Sequence, residues 1–559
     1  MAKTVADVLL DVLVEHGVEY IFGIPGDSID PLLEPLRRDR RIRFVQVRHE
    51  ETGAFMASAY AKKTGRLGVC LGTAGPGAIH LLNGLYDAKL DHAPVLALTG
   101  QVNLAHLGTD YFQEVDLLQL FANVSVYNHQ VTHPAQISVM ADQACRTALA
   151  KRGVSHLSFP YEVPLFKAEG PGQRYTVINR ALDTVPVAEL LEHAAQRIDR
   201  AERPVILAGK GARGSRQALL RLAERAQIPI VNTLPGKGVV PDTHPLALGG
   251  LGLLGAKPAH TAMEECDLCL LVGTSYPYLE FLPKHAQIIQ LDWEASQIGK
   301  RHQVDLGLVG AAEPTLTELA LRVSERPPSA WVRGLQHQRR HWIDRIQAEA
   351  RRQNRPDRPI HPQWVADRLS RLVDANANLA IDVGNSLVWM ARNFVIQDHG
   401  WLVSAWLGSM GFGLPAAMAA KIAQPERQSV AAVGDGGFTM LMGDFVTAVK
   451  YHWPITVVVF SNQRLGMIKF EQEVHGMPEF GTELVNPDFA QYAEAAGGQG
   501  FRVTRQEEVE EAIWQALHAD VPTIVDIRTD PNEKPLPPRI TWQQARGYAE
   551  AWFKETLGT

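Results

Sequence analysis

The chain is 559 residues long, too long for one ordinary domain and long enough for about three. Apolar residues make up 46% and charged residues 21%, with 46 Gly and 34 Pro spread throughout, which excludes a disordered or fibrous protein. The 55 Lys and Arg against 61 Asp and Glu leave a net charge of −6, so there is no basic footprint for nucleic acid; four cysteines are too few to staple such a chain, which suits the cytoplasm.

From the N-terminus, MAKTVADVLLDVLVEHG predicts an amphipathic helix without the long apolar core or cleavage site of an export signal, and no run of 18 or more apolar residues follows. The expectation is a protein neither exported nor membrane-spanning. RLGVCLGTAGPGAIHLLNGLYDA then reads strand, glycine turn, helix, and PVLALTGQ reads as the next strand. EGPGQR at residues 169–174 breaks the pattern. Beyond it, RPVILAGKGARGS, IPIVNT, CDLCLLVGTS and AQIIQLD supply further strands. Cys266 and Cys269 fall inside one of them, with no second Cys or His pair at ligand spacing, and read as buried thiols. Residues 324–359 are proline-flanked and Arg-rich, but Asp344, Glu349 and Asp357 interleave with Arg339, Arg340, Arg351 and Arg352, which predicts a solvated linker helix. SVAAVGDGGFTML and ITVVVFSNQ complete the strand series.

An apolar run, a glycine-rich turn and a helical stretch, repeated in three blocks of similar size, predict an α/β protein of three doubly wound parallel-sheet domains. Shifts in composition set the boundaries at 1–170, 185–325, a linker at 326–359, 360–530 and a C-terminal tail at 531–559.

The most specific chemistry is Gly434-Asp435-Gly436-Gly437, at the end of the strand SVAAV. Residues 437–461 separate Gly436 from Asn462, enough for one helix and the return to a neighbouring parallel strand. The Asp435 carboxylate and the Asn462 amide oxygen then meet at one sheet edge. Such a hard-ligand pair suits Mg²⁺ already bound to phosphate oxygens, while the glycines admit backbone N–H groups and a helix N-terminus. Alone, a GDG would be no more than a turn.

GDG followed some two dozen residues later by Asn resembles the cofactor motif of the thiamine diphosphate (ThDP) enzymes, and the resemblance extends over essentially the whole chain. It implies three domains, binding the pyrimidine, a flavin-type ligand, and the diphosphate with Mg²⁺. It assigns the third metal contact to the carbonyl of Arg464, although Gln463 stands where many members carry a second Asn. Glu50, in Arg48-His49-Glu50-Glu51, is placed against N1′ of the aminopyrimidine, where a carboxyl group favours the imino tautomer whose N4′ takes the C2 proton. On its residues alone that segment is a charged strand-to-helix junction. Thr73-Ala74-Gly75-Pro76-Gly77 and His80 match the pyrimidine-side loop. Gly408-Ser409-Met410 matches the segment whose carbonyl accepts from N4′ and whose bulky side chain wedges beneath the bent cofactor, and Leu465, Gly466, Met467 and Ile468 complete the ThDP contacts. A site shared between subunits implies a homo-oligomer, a dimer of dimers.

Within the family the chain is most like the pyruvate oxidase and acetolactate synthase branch. Glu471 stands where the synthases carry Trp and the oxidases Glu; Gly273-Thr274-Ser275-Tyr276-Pro277-Tyr278 looks like the oxidase segment rather than the Arg-Phe-Asp-Asp-Arg type of the synthases. Tyr111-Phe112-Gln113-Glu114 matches an oxidase segment too, with Phe112 and Gln113 as pocket residues. The oxidases use FAD. Gly209-Lys210-Gly211-Ala212-Arg213-Gly214 is a formal G-x-G-x-x-G, weak by itself, and Asp292 is placed for a ribose. The resemblance adds Leu251, Gly252, Leu253 and Leu254, with Thr274, Ser275, Tyr276, Pro277 and Tyr278.

The implied reaction is oxidative decarboxylation of a 2-keto acid, pyruvate going to CO₂ and acetate or acetyl phosphate, with electrons passing through FAD to oxygen or a quinone. Met467 replaces the aromatic ring of the oxidases and is shared with the synthases, which supports as the alternative a carboligase or lyase with FAD structural or absent. A third reading, a ThDP-binding protein without catalysis, has no use for Glu50. The tail ITWQQARGYAEAWFKETLG, with Trp542, Tyr548, Trp552 and Phe553, reads as a terminal helix packed on the body rather than a membrane-binding segment.

Overall fold

The computed structural model describes residues 3–169, 184–353 and 358–535, together with Arg546, Glu550, Ala551 and Lys554; most of the expected tail, its aromatic residues included, lies outside the described residues. Three six-stranded sheets, parallel throughout, form the body. The first contains β1 (Tyr20–Gly23), β2 (Arg43–Gln46), β3 (Gly68–Gly72), β4 (Val95–Gln101), β5 (Ser125–Gln130) and β6 (Val154–Pro160), in the order β2-β1-β3-β4-β6-β5. The second contains β7 (Pro204–Ala208), β8 (Ile230–Asn232), β9 (Ala247–Gly250), β10 (Leu268–Val272), β11 (Gln287–Asp292) and β12 (Leu306–Val309), in the order β12-β11-β10-β7-β8-β9. The third contains β13 (Asn378–Ile381), β14 (Gly400–Val403), β15 (Ser429–Gly434), β16 (Thr456–Ser461), β17 (Gln499–Val503) and β18 (Thr523–Arg528), in the order β14-β13-β15-β16-β18-β17. The expected fold class is what the chain adopts.

The first and third sheets thus share one strand order. The second, read from β9 and numbered from its own first strand, has the 3-2-1-4-5-6 order of dinucleotide-binding sheets. In such sheets ligands collect at the carboxyl ends of the strands where the order reverses. That point lies between β1 and β3, between β7 and β10, and between β13 and β15.

Strands β3, β4, β6, β7, β8, β10, β13 and β16 are buried along their whole length, as two-sided helical cover requires, and Cys70 and Cys269 are buried strand thiols. Helix Glu50–Thr64 packs on helix Gly413–Ala423 through Ala54, Ala57 and Ala61 and through Ala416, Ala417 and Ala420, joining the first and third domains in one apolar cluster; Phe55 meets Phe412 edge-on at 5.7 Å. One carboxylate ties all three domains. Asp91 Oδ2 accepts from Lys62 Nζ (2.6 Å) and from the Ala405 N–H (3.2 Å), while Oδ1 faces Lys210 Nζ at 3.2 Å. Burial works to raise the Asp91 pKa, but Lys62 and Lys210 more than offset it, and the group is held to about 2. Residues 330–350 form the expected linker helix, Ala330–Ala350. No helix among the described residues is long and apolar enough to cross a membrane.

Candidate active site

Two half-sites occupy the reversal points of the first and third sheets. In the first, β2 ends at Gln46 and helix Glu50–Thr64 begins, so the Glu50 carboxylate stands in the first helical turn, 8% exposed. The turn is held from the third domain: Asp444 accepts the N–H groups of Arg48 (2.7 Å) and His49 (3.2 Å). Glu50 Oε2 lies 3.0 Å from His80 Nδ1, and the His80 ring stacks on His49 at 4.5 Å.

The loop after β3 closes on this carboxylate. A Cβ at Gly77 would stand 2.8 Å from Thr73 Cγ2 and 3.2 Å from Glu50 Oε1, so only glycine fits there. Gly75, at φ +64°, meets the carbonyl of Gln113, which has positive φ itself. Gln113 therefore joins Glu50, Thr73 and His80. Phe112 projects outward at 76% exposure.

In the third domain, Asp435 follows β15 and is 2% exposed. Its Oδ2 accepts from the Gln463 N–H (2.6 Å) and Asn486 Nδ2 (2.8 Å), and its Oδ1 from the Gly436 N–H (3.1 Å). Burial nevertheless raises its pKa to about 6, because three donors do not replace the water lost. Asn462 Oδ1 accepts the Arg464 N–H at 3.0 Å. Met410 and Leu465 lie against Gly436, where a Cβ would meet Leu465 Cδ2 at 3.0 Å and Met410 Cε at 3.3 Å. Ser409 Oγ accepts from Asn83 Nδ2 at 2.9 Å, a link back to the first domain, and Gly408 has φ +68°. Met467, Ile468 and Glu471 ride on helix Gly466–Val474; Met467 packs on the core of the third domain, whereas Ile468 and Glu471 are exposed.

Three polar residues at this edge escape sequence reasoning. Asn385 opens a helix just past β13, beside Gly466 and Asn462, and its Oδ1 is buried without a hydrogen-bond partner. Asn486 reaches Asp435 from far along the chain. Asp382, fully buried, accepts the N–H groups of Val383 (2.8 Å) and Gly411 (3.0 Å) and presses on Gly437, so it spaces the segment carrying Met410 from the one carrying Asp435. Burial lifts its pKa to about 7. The reversal point between β13 and β15 is the signal that could have found Asn385 and Asp382.

A cavity of about 1590 Å³ opens where the three domains meet. Lys62, Arg66, Arg146, Arg152, Lys210 and Arg213 against Glu19, Asp91, Asp292 and Glu313 leave its wall with a small basic excess, and Trp293, Trp401 and Trp406 supply rings; Arg152 lies over Trp293 at 4.5 Å and Arg301 over Trp406 at 4.8 Å. Gly211, Arg213, Leu251, Asp292 and residues 274–278 line it. Burial raises the pKa of Asp292. Gly209, Gly252, Leu253 and Leu254 are not among its walls: Gly209 is packed on Gly273, the Gly252 carbonyl faces His260 Nε2 (3.0 Å), the Leu253 carbonyl accepts from Arg392 Nη2 (2.8 Å), and Leu254 packs on the third domain's core.

Three family profiles match the three sheets in order: the N-terminal TPP binding domain of thiamine pyrophosphate enzymes over residues 3–120, the central domain over 191–319 and the C-terminal TPP binding domain over 382–527. The chain belongs to the thiamine pyrophosphate enzyme family. It is 44% identical over 554 residues to a putative thiamine pyrophosphate-containing protein, YdaP, of Bacillus subtilis, covering 99% of this chain and 96% of that one. It is 34% identical to the pyruvate oxidase of Lactiplantibacillus plantarum, with 95% and 89% covered, and 34% identical to a probable acetolactate synthase large subunit of Methanocaldococcus jannaschii, with 94% and 92% covered. The protein is a ThDP-dependent enzyme.

Proposed function

We propose that this enzyme oxidatively decarboxylates a 2-keto acid, pyruvate, in the cytoplasm, using ThDP, Mg²⁺ and FAD and releasing CO₂ with acetate or acetyl phosphate; oxygen or a quinone takes the electrons. The observation that carries the reading is the basic, ring-lined cavity at the edge of a sheet with dinucleotide-binding strand order. Trp401 and Trp406 in its wall belong to the same stretch of chain that continues into residues 408–410. Units at 1–170, 185–325 and 360–530 would serve the pyrimidine, the flavin and the diphosphate.

Bound ThDP supplies an electron sink for loss of CO₂, and FAD a two-electron acceptor. Glu50 is the catalytic residue, holding a proton at the pyrimidine edge, and His80, 3.0 Å away, orients it. Asp435, Asn462 and the carbonyl of Arg464 hold Mg²⁺: a buried carboxylate with a raised pKa, beside an amide oxygen and glycines that leave room for phosphate, suits that cation. Thr73, Gly408, Ser409, Met410, Gly436, Gly437 and residues 465–468 would surround ThDP. Phe112, Gln113, Met467 and Glu471 would shape the keto-acid pocket. Ile79, Phe112, Met440, Ile468 and Phe480 are exposed apolar side chains around the two half-sites, which supports an assembly in which a second copy supplies the opposite half. Sedimentation of a fully active monomer would contradict that assembly.

Met467 favours a second reading, a carboligase. The visible spectrum separates the two: with pyruvate, ThDP and Mg²⁺ and without oxygen, an oxidase bleaches its flavin band only when ThDP is present. CO₂ evolution with an unreduced flavin band supports the carboligase instead.

A further inference from the structure

Helix Ala330–Ala350 connects the second and third domains. It is anchored by Val332 and Leu335, which are buried, and by Trp331 and Trp342 against the second domain's core. Its outer face carries His337 and His341, both exposed and spaced i, i+4, which puts the two imidazoles on one side of the helix. Their Nε2 atoms stand 2.9 Å apart, and the rings lie edge to face with centroids at 4.3 Å.

Two nitrogens occupying adjacent corners of a square-planar ion, each about 2.0 Å from it, are themselves about 2.9 Å apart; at a tetrahedral ion they are about 3.3 Å apart. The separation found here is that of an N–H···N hydrogen bond and also matches the square-planar arrangement, so an ion would take the place of the shared proton. Asp344, one turn beyond His341, is exposed, but its carboxylate does not converge on the two imidazoles, so the pair alone supplies the ligands. Arg345, one turn from His341, is turned away on to Trp342 (4.6 Å) and Glu349 (3.4 Å).

We propose that His337 and His341 form a two-imidazole surface site for a borderline divalent transition metal of tetragonal preference, Cu²⁺ or Ni²⁺, separate from the Asp435 site. Imidazole nitrogen selects such ions over Mg²⁺, whereas the oxygen donors of Asp435 and Asn462 select the reverse. A chelated ion would clamp one turn of the linker helix and stabilise the folded chain by mass action.

The test is Cu²⁺ titration of the chelator-treated full-length protein in excess Mg²⁺, read by paramagnetic resonance and by thermal melting. The expected result is one tight equivalent whose spectrum carries coupling to two imidazole nitrogens, with a raised melting temperature. Both signals should be lost in H337Q/H341Q and retained in H80Q. Glutamine keeps helix propensity, so an unchanged melting temperature of the metal-free double variant shows that the fold survives. Should H337Q/H341Q keep the tight equivalent, or should the wild type bind none, the pair is only a hydrogen-bonded couple of imidazoles and the proposal fails.

Discussion

The two half-sites share a strand order and a position at the reversal point of a parallel sheet, yet they handle their carboxylates in opposite ways. Glu50 is given a titratable neighbour, His80, and stands in a first helical turn. Asp435 is given only neutral donors and is sunk among glycines until its charge is hard to keep. The first is the carboxylate to which the proposed function gives the proton. The other awaits a cation that would restore its charge. On the proposed reading the same fold would serve proton transfer on one side and metal-assisted anchoring on the other, and the choice would lie in the few side chains around each carboxylate.

This contrast is easiest to break at Glu50. Glu50→Gln keeps the shape and removes the titratable group, so turnover should fall by about 10² to 10⁴-fold while ThDP affinity, followed by quenching of tryptophan fluorescence, stays near its original value. Equal losses in both would mean that the residue only binds. Asp435→Ala should do the reverse in kind. ThDP affinity in Mg²⁺ should fall by more than about 100-fold, since even residues that merely support a metal ligand contribute 10 to 100-fold.

A smaller effect follows from acidity. Because burial raises the Asp435 pKa to about 6, a proton competes with the cation below that pH. Mg²⁺-dependent ThDP binding should therefore be level above pH 7 and weaken by about tenfold for each unit below pH 6. Calorimetric titration at several pH values checks this, and a slope that survives in Asp435→Asn would assign the effect to another group. The mildest change is Gly466→Ala. Its methyl group would fall 2.9 Å from Asn462 Nδ2 and against Asn385, so the two amides must shift. Overpacking of this kind costs about 1 to 3 kcal/mol, and a thermal melt should show it together with a several-fold loss of ThDP affinity.

Much of this was legible in the sequence, for a definite reason. Two short helices, Asp435–Leu441 and Phe445–Lys450, and strand β16 carry the chain from Asp435 to Asn462, a helical crossover whose return can be counted off along the chain. The alternation of apolar runs and glycine turns likewise gave the three sheets. What the sequence hid comes from distant segments: Asn486 on Asp435, Asp382 beneath Gly411 and Gly437, and the tryptophans of the cavity, which arrive from two domains. Leu253 and Leu254 show the converse. Their motif is local and matches, but the Leu253 carbonyl meets Arg392 while its side chain is exposed, and Leu254 packs on the third domain's core.

Asp91 has a consequence for how the molecule comes apart. Three sheets of equal strand number, each with its own apolar interior, would ordinarily melt as independent units. Here one carboxylate is bonded by a lysine of the first domain, a lysine of the second and a backbone amide of the third, out of reach of water. Unfolding the second domain removes one of the two lysines that hold this charge, and unfolding the third removes a donated N–H, so each loss leaves the buried carboxylate less well paired. Partial melting thereby loosens Asp91 from two sides, which couples the second and third sheets to the first.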